Sequence, residues 1–199
     1  MTRTRIGLTA AAVMAAATVH GQTLTGEALV ASLRAGGHVI VMRHASSPRQ
    51  TPDKAAANPD NTTLERQLDQ TGRSTATAMG QALRRLKITI GEVLTSPTYR
   101  ARETARLAQL TGATPAEELG DGGQSMQTVA EAQAAWLRKK VAEAPRGTNT
   151  ILVTHMPNIA RAWPELADVA DGEALVFNPD GKGGARLVGR VRIEAWRQL

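Results

Sequence analysis

Three short stretches carry side chains fit for chemistry, and each follows directly on an apolar run. The first is Val39-Ile40-Val41-Met42-Arg43-His44-Ala45, the second ends in Thr95-Ser96-Pro97-Thr98-Tyr99-Arg100, and the third is Leu152-Val153-Thr154-His155. The types of these residues suit one job. An arginine is always charged, and its planar fork matches phosphate oxygens two at a time, so Arg43 and Arg100 together make a clamp for a dianion. Nearby positive charge also disfavours an imidazolium, which keeps a lone pair on His44 free for attack at neutral pH. Histidine is among the side chains that form covalent intermediates, so His44 qualifies as a nucleophile. Transfer of a phosphoryl group rests on positioning and on stabilising charge around its equatorial oxygens, and two arginines with a protonated His155 supply that without a metal.

Such residues work together only if the chain brings them together. Apolar, β-branched runs too short for helices read as fully buried strands, so residues 39–42, 91–95 and 150–154 are expected to be strands, each delivering its polar residue at its carboxyl end. In open α/β sheets that edge is where ligands bind. Helices are expected over Thr25–Arg34, from about Thr71 to Leu86 and from about Met126 to Ala144, each with an apolar face. Ser96 reads as an N-cap with Pro97 at the first helical position, which puts Arg100 in a first turn, where the helix dipole disfavours a cation unless an anion lies nearby. Thr114–Leu119 reads as a further strand, and residues 173–177 and 185–193 as a closing pair around a Gly-rich turn. Residues 46–63 are rich in turn formers and form a long loop directly after the first motif. Arg102, Arg106 and His38 read as ordinary structural residues.

Length and composition narrow the classes further. The 199 residues suit one domain after removal of a leader: Arg3 and Arg5 precede an alanine-rich apolar segment, Ile6 to Val19, and a cut before Gln22 would leave residues 22–199. That segment is short for a membrane span, so stable membrane insertion after cleavage is not expected, and a periplasmic or secreted location is. Cleavage at that point removes two of the 24 basic residues and none of the 18 acids, so the net charge falls from +6 to +4, which is compatible with an anionic substrate. With three Trp, one Tyr and one Phe, and no basic run interleaved with them, stacking platforms for nucleic acid are missing. The lack of cysteine removes thiol nucleophiles and zinc–thiolate sites.

The ordered set of "VMRHA" at 41–45, "TSPTYRARETA" at 95–105 and "LVTHMPNI" at 152–159 resembles the histidine phosphatase superfamily, with its phosphoglycerate mutase-like fold, and the closing strands resemble those of small exported bacterial members. The resemblance implies a three-layer α/β/α sandwich with a mostly parallel central sheet and no metal or other cofactor. It implies that His44 is the phosphorylated nucleophile and that Arg43, Arg100 and His155 bind the transferring group. It further implies a phosphomonoester hydrolase whose partner is a small phosphomonoester or phosphorylated saccharide. A non-catalytic anion-binding protein, a phosphohistidine-protein phosphatase or a mutase on the same fold are the alternatives. Two positions depart from the family: Ala45 stands where a glycine is common, and Met156 stands where some branches place an acid. The proton donor is therefore expected to be Glu173, at the start of a strand, with Glu118 and its neighbour Glu117 as the other candidates.

Overall fold

The computed structural model describes residues 23–48, 66–121 and 129–199. The leader expected at residues 1–21 lies outside these, as does most of the loop expected over 46–63. Six strands form one sheet: β1 (Val39–Arg43), β2 (Ile90–Thr95), β3 (Thr114–Pro115), β4 (Asn149–Thr154), β5 (Ala174–Pro179) and β6 (Ala185–Val191), in the order β3-β2-β4-β1-β5-β6. The four strands from β3 to β1 pair in parallel, while β5 runs antiparallel to both β1 and β6. The mixed sheet is mostly parallel, as expected.

The helices are α1 (Gly26–Ala35), α2 (Gln70–Arg85), α3 (Tyr99–Leu107), α4 (Glu131–Val141) and α5 (Met156–Ala162). Alternation along β1 divides the core in two. Ile40 and Met42 join a cluster with Leu29, Leu33, Met79 and Leu83 from α1 and α2, and Val39 and Val41 join one with Leu137 and Ile159 from α4 and α5. A strand buried on both faces needs helices on both, which gives the three layers.

Three expected boundaries move. The helix after β2 begins at Tyr99 with Thr98 as its N-cap, because the Ser96 hydroxyl accepts from the Thr98 N–H (3.2 Å) and is drawn to the third motif instead. The strand expected over 114–119 keeps only two residues: Pro115 has no N–H for a further ladder bond, and Glu117–Leu119 turns into a 3-10 helix. The start expected near Met126 lies outside the described residues, and α4 is seen from Glu131.

Two glycines bring α2 close to its neighbours. A Cβ at Gly72 would lie 2.1 Å from the Ser46 carbonyl oxygen, and one at Gly80 would lie 1.9 Å from that of Ala108. Both obstacles are backbone, so only glycine fits. The first contact matters for the site. Asp69 caps α2 through the Gly72 N–H (2.7 Å) and accepts from the Ser46 hydroxyl (2.6 Å), and the Ser47 hydroxyl donates to the Gln67 carbonyl (2.8 Å). The chain leaving β1 and the chain entering α2 are thus tied side by side.

Candidate active site

Parallel neighbours present their carboxyl ends along one edge. Arg43 lies opposite Thr154 and Thr95 opposite Val153, so the residues following β1, β2 and β4 meet there. Backbone bonds carry the ladder one step further, from His44 N–H to the Thr154 carbonyl (2.9 Å) and from Ser96 N–H to that of Val153 (2.8 Å). The rigid sheet therefore fixes the two histidines, whose ring centroids are 5.2 Å apart.

His44 is buried, and its Nδ1–H donates to the Ala45 carbonyl (2.8 Å). That partner accepts only, so the tautomer follows and the lone pair is on Nε2. Facing that lone pair are Arg100 Nε at 3.2 Å and Arg66 Nη2 at 3.3 Å. Arg100 also extends Nη2 to His155 Nδ1 (3.1 Å) and to Asp121 Oδ2 (2.6 Å). On its far side, His155 Nε2–H donates to the Ser96 hydroxyl (2.7 Å), which explains the displaced helix start. Arg43 is held by Asp171 (2.6 Å) and donates from Nη1 to the Val169 carbonyl (3.1 Å).

The electrostatics follow from this packing. Burial, then His155, Arg100 and Arg66, hold the His44 pKa well below its ordinary value, and burial with Arg100, Arg66 and Arg43 does the same to His155. The expected lone pair on His44 is present. The protonated state expected of His155 is disfavoured among these groups alone, by burial and then by Arg100, Arg66 and Arg43, although Asp121 Oδ2 lies 3.3 Å from its Nδ1. The anion expected beside Arg100 is found, as Asp121.

Arg43, His44, Arg100 and His155 are thus brought together, and Glu173 is not placed as a proton donor. Its buried carboxylate accepts from Arg190 Nε (2.7 Å) and from the Ala170 N–H (2.9 Å), with Arg192 at 3.7 Å. Burial raises its pKa, but those donors and charges outweigh burial and lower it overall, so the group is a fixed anion that anchors β6. Glu173→Gln is accordingly expected to lower thermal stability, by about 1–3 kcal/mol for a broken charged hydrogen bond, and to leave the rate of enzyme phosphorylation unchanged. A melting curve with single-turnover kinetics checks this. Glu117 and Glu118 lie on the 3-10 turn after β3, which is pinned to the site where the Thr154 hydroxyl donates to the Leu119 carbonyl (2.8 Å) and the Asn158 amide to that of Gly120 (2.9 Å).

Arg66, Asp121 and Asp171 escape the sequence reading. Arg66 has no motif around it, and the aspartates follow turn-forming segments whose placement is tertiary. Among the described residues no group of three or more His, Asp or Glu could hold a metal, and no helix is long and apolar enough to cross a membrane.

Residues 39–121 match the family model described as histidine phosphatase superfamily (branch 1). No curated protein shows a significant sequence match. Among solved structures, the protein histidine phosphatase SixA complexed with tungstate aligns at TM-score 0.54 and 19% identity, over 78% of this chain and 97% of that one. Phosphoserine phosphatase from Entamoeba histolytica, solved with phosphoserine, aligns at 0.54 and 12% identity, over 79% and 98%. YhfR of Bacillus stearothermophilus gives 0.54 and 16%, over 75% and 94%. At such identities the likeness is one of fold.

Proposed function

We propose that this chain, whose residues 39–121 match the histidine phosphatase superfamily, hydrolyses small phosphomonoesters through a phosphohistidine at His44 and does so without a metal. The observation that carries this reading is the Nε2 lone pair of His44, fixed by the Ala45 carbonyl and faced by guanidinium donors at 3.2 and 3.3 Å. An imidazole so placed is aimed at the centre of whatever oxyanion the guanidiniums bind.

In the first step Nε2 attacks phosphorus in line, a P–N bond forms, and the P–O bond to the leaving group breaks. Arg100 and Arg43 carry the charge on the phosphoryl oxygens, which is the work a metal does elsewhere. A dianion arriving between them reverses the local potential and raises the pKa of His155, so its Nδ1 takes up a proton and donates to the same group. Glu173 is committed to Arg190, which leaves Glu118 as the candidate for proton delivery to the leaving oxygen, on a turn whose backbone carbonyls accept from Thr154 and Asn158. Water then gives a proton to the carboxylate that protonated the leaving group and attacks the phosphohistidine, so that a P–O bond forms, the P–N bond breaks and phosphate leaves with His44 neutral again.

Beside Arg43 a cavity of about 430 Å³ is lined by Ser46, Thr71, Thr75, Asp171, Arg192 and Glu194. A lining of hydroxyls and charges suits a hydroxyl-bearing leaving group, which supports a phosphorylated saccharide as substrate. The leader-like residues 1–21 support a periplasmic or secreted site of action.

Hydrolysis of p-nitrophenyl phosphate, with and without EDTA, tests the reading. Because His44 must be neutral to attack and its pKa lies below 6.5, kcat/KM corrected for substrate ionisation is expected to stay level down to pH 6.5 and to fall only well below it. An acid limb at or above 6.5, or activity lost to EDTA, contradicts it.

A further inference from the structure

Arg66 poses a problem that the proposed mechanism does not solve. It sits immediately before α2, in the segment that the Ser47–Gln67 and Ser46–Asp69 bonds tie against the end of β1, and this tether holds its half-buried side chain over His44. Among the described residues it forms no ion pair, and its buried Nε has no hydrogen-bond partner. Its nearest charges are mostly of its own sign. Burial, then Arg100, with Arg43 adding to them, pushes its pKa down to about 10, and Asp121 and Asp171 recover only part of that. Three guanidiniums around one pocket, with two carboxylates to answer them, cost the folded chain stability.

The geometry at Nε2 sharpens the point. A neutral imidazole nitrogen offers one lone pair, yet two donors from different elements converge on it, Arg100 Nε from α3 and Arg66 Nη2 from the segment before α2. One lone pair cannot satisfy both. A tetrahedral oxyanion centred in front of Nε2 does, because it offers a separate oxygen to each donor and adds negative charge where three guanidiniums face two carboxylates.

We propose that Arg66 is a third phosphoryl-binding arginine, which holds an equatorial oxygen of the group attacked by His44. The proposal rests on His44 as the nucleophile and adds to the clamp of Arg43 and Arg100. It also gives the 46–48 and 66–69 tether a purpose, since it fixes the height of the guanidinium above the imidazole.

The test compares wild type, Arg66→Met and Arg66→Lys in the full chain. For Arg66→Met, kcat for p-nitrophenyl phosphate is expected to fall about 100-fold, the loss seen when one donor to a transition-state oxyanion is removed. Inhibition by vanadate weakens by a similar factor, and the melting temperature holds or rises as like charges separate. Arg66→Lys keeps the charge without the fork and recovers part of the loss. A kcat and a vanadate inhibition constant within threefold of wild type overturn the proposal. So does a loss confined to KM for substrates with a second anionic group, which would put Arg66 on the leaving group. Calorimetry with inorganic phosphate separates this from the mechanism as a whole. Binding at least tenfold weaker in Arg66→Met supports the third arginine even if His44→Ala proves active, and equal binding refutes it even if His44→Ala is dead.

Discussion

His44→Ala is expected to lower p-nitrophenyl phosphate turnover by about 10⁴-fold or more, equivalent to at least about 5.5 kcal/mol of lost transition-state stabilisation. The size of the effect comes from the absence of a substitute. His155 lies close, but its Nε2 is bonded to Ser96 and its Nδ1, engaged by Arg100, is protonated once the dianion binds, so it has no lone pair for attack. The fold should survive. The substitution gives up one hydrogen bond to the Ala45 carbonyl, worth about 1 kcal/mol, and a buried ring next to cations that disfavour its charged form. Phosphate binding by calorimetry should persist within about tenfold, because the guanidiniums remain, and this separates loss of the nucleophile from loss of the pocket. Turnover within a hundredfold of wild type would transfer the attack to another group.

Arg100→Met carries the second large effect and a more complex one. The Arg100 side chain joins His44 through Nε, and His155 and Asp121 through Nη2, while its backbone carbonyl accepts from the Thr104 hydroxyl (2.8 Å). Losing a charged donor to the transferring group is expected to lower kcat by about 10²–10³-fold. Stability should fall as well, since Asp121 loses its 2.6 Å partner while largely buried, at a cost of about 1–3 kcal/mol once the relief of Arg43 and Arg66 is set against it. A third consequence concerns pH. Arg100 is among the causes that lower both histidine pKa values, so its removal raises them, and the acid limb of kcat/KM moves up towards 6.5. Arg100→Met/Asp121→Asn should regain the stability and not the rate, which identifies Asp121 as the counterion. An unmoved acid limb would show that Arg100 does not govern the histidines.

The sequence made the strand ends legible because their cause is local. A short β-branched run is buried, parallel neighbours share an edge, and the residue after each run must emerge there, so Arg43, His44, Arg100 and His155 could be grouped before any contact was known. What escaped depends on tertiary contact. Arg66 is drawn to His44 by bonds between residues about twenty positions apart, and nothing in Leu64-Glu65-Arg66-Gln67 signals it. Asp121 follows a 3-10 turn in the stretch Thr114 to Leu119 expected as strand, where Pro115 and the adjacent Glu117 and Glu118 argue otherwise. Glu173 was drawn to the site by its place before β5, yet Arg190 from the antiparallel partner strand claims its carboxylate. The shifted N-cap has the same origin. Ser96 has the right chemistry for a cap, and His155, distant in sequence, redirects its hydroxyl.

The most direct measurement is rapid quenching of the wild-type protein with ³²P-labelled substrate, followed by peptide mapping of the trapped label. The account predicts phosphate that is stable to base and labile to acid, on the peptide containing His44, formed and discharged at rates compatible with turnover. Turnover with no label on that peptide, or with the label on His155 or on a serine, would contradict it.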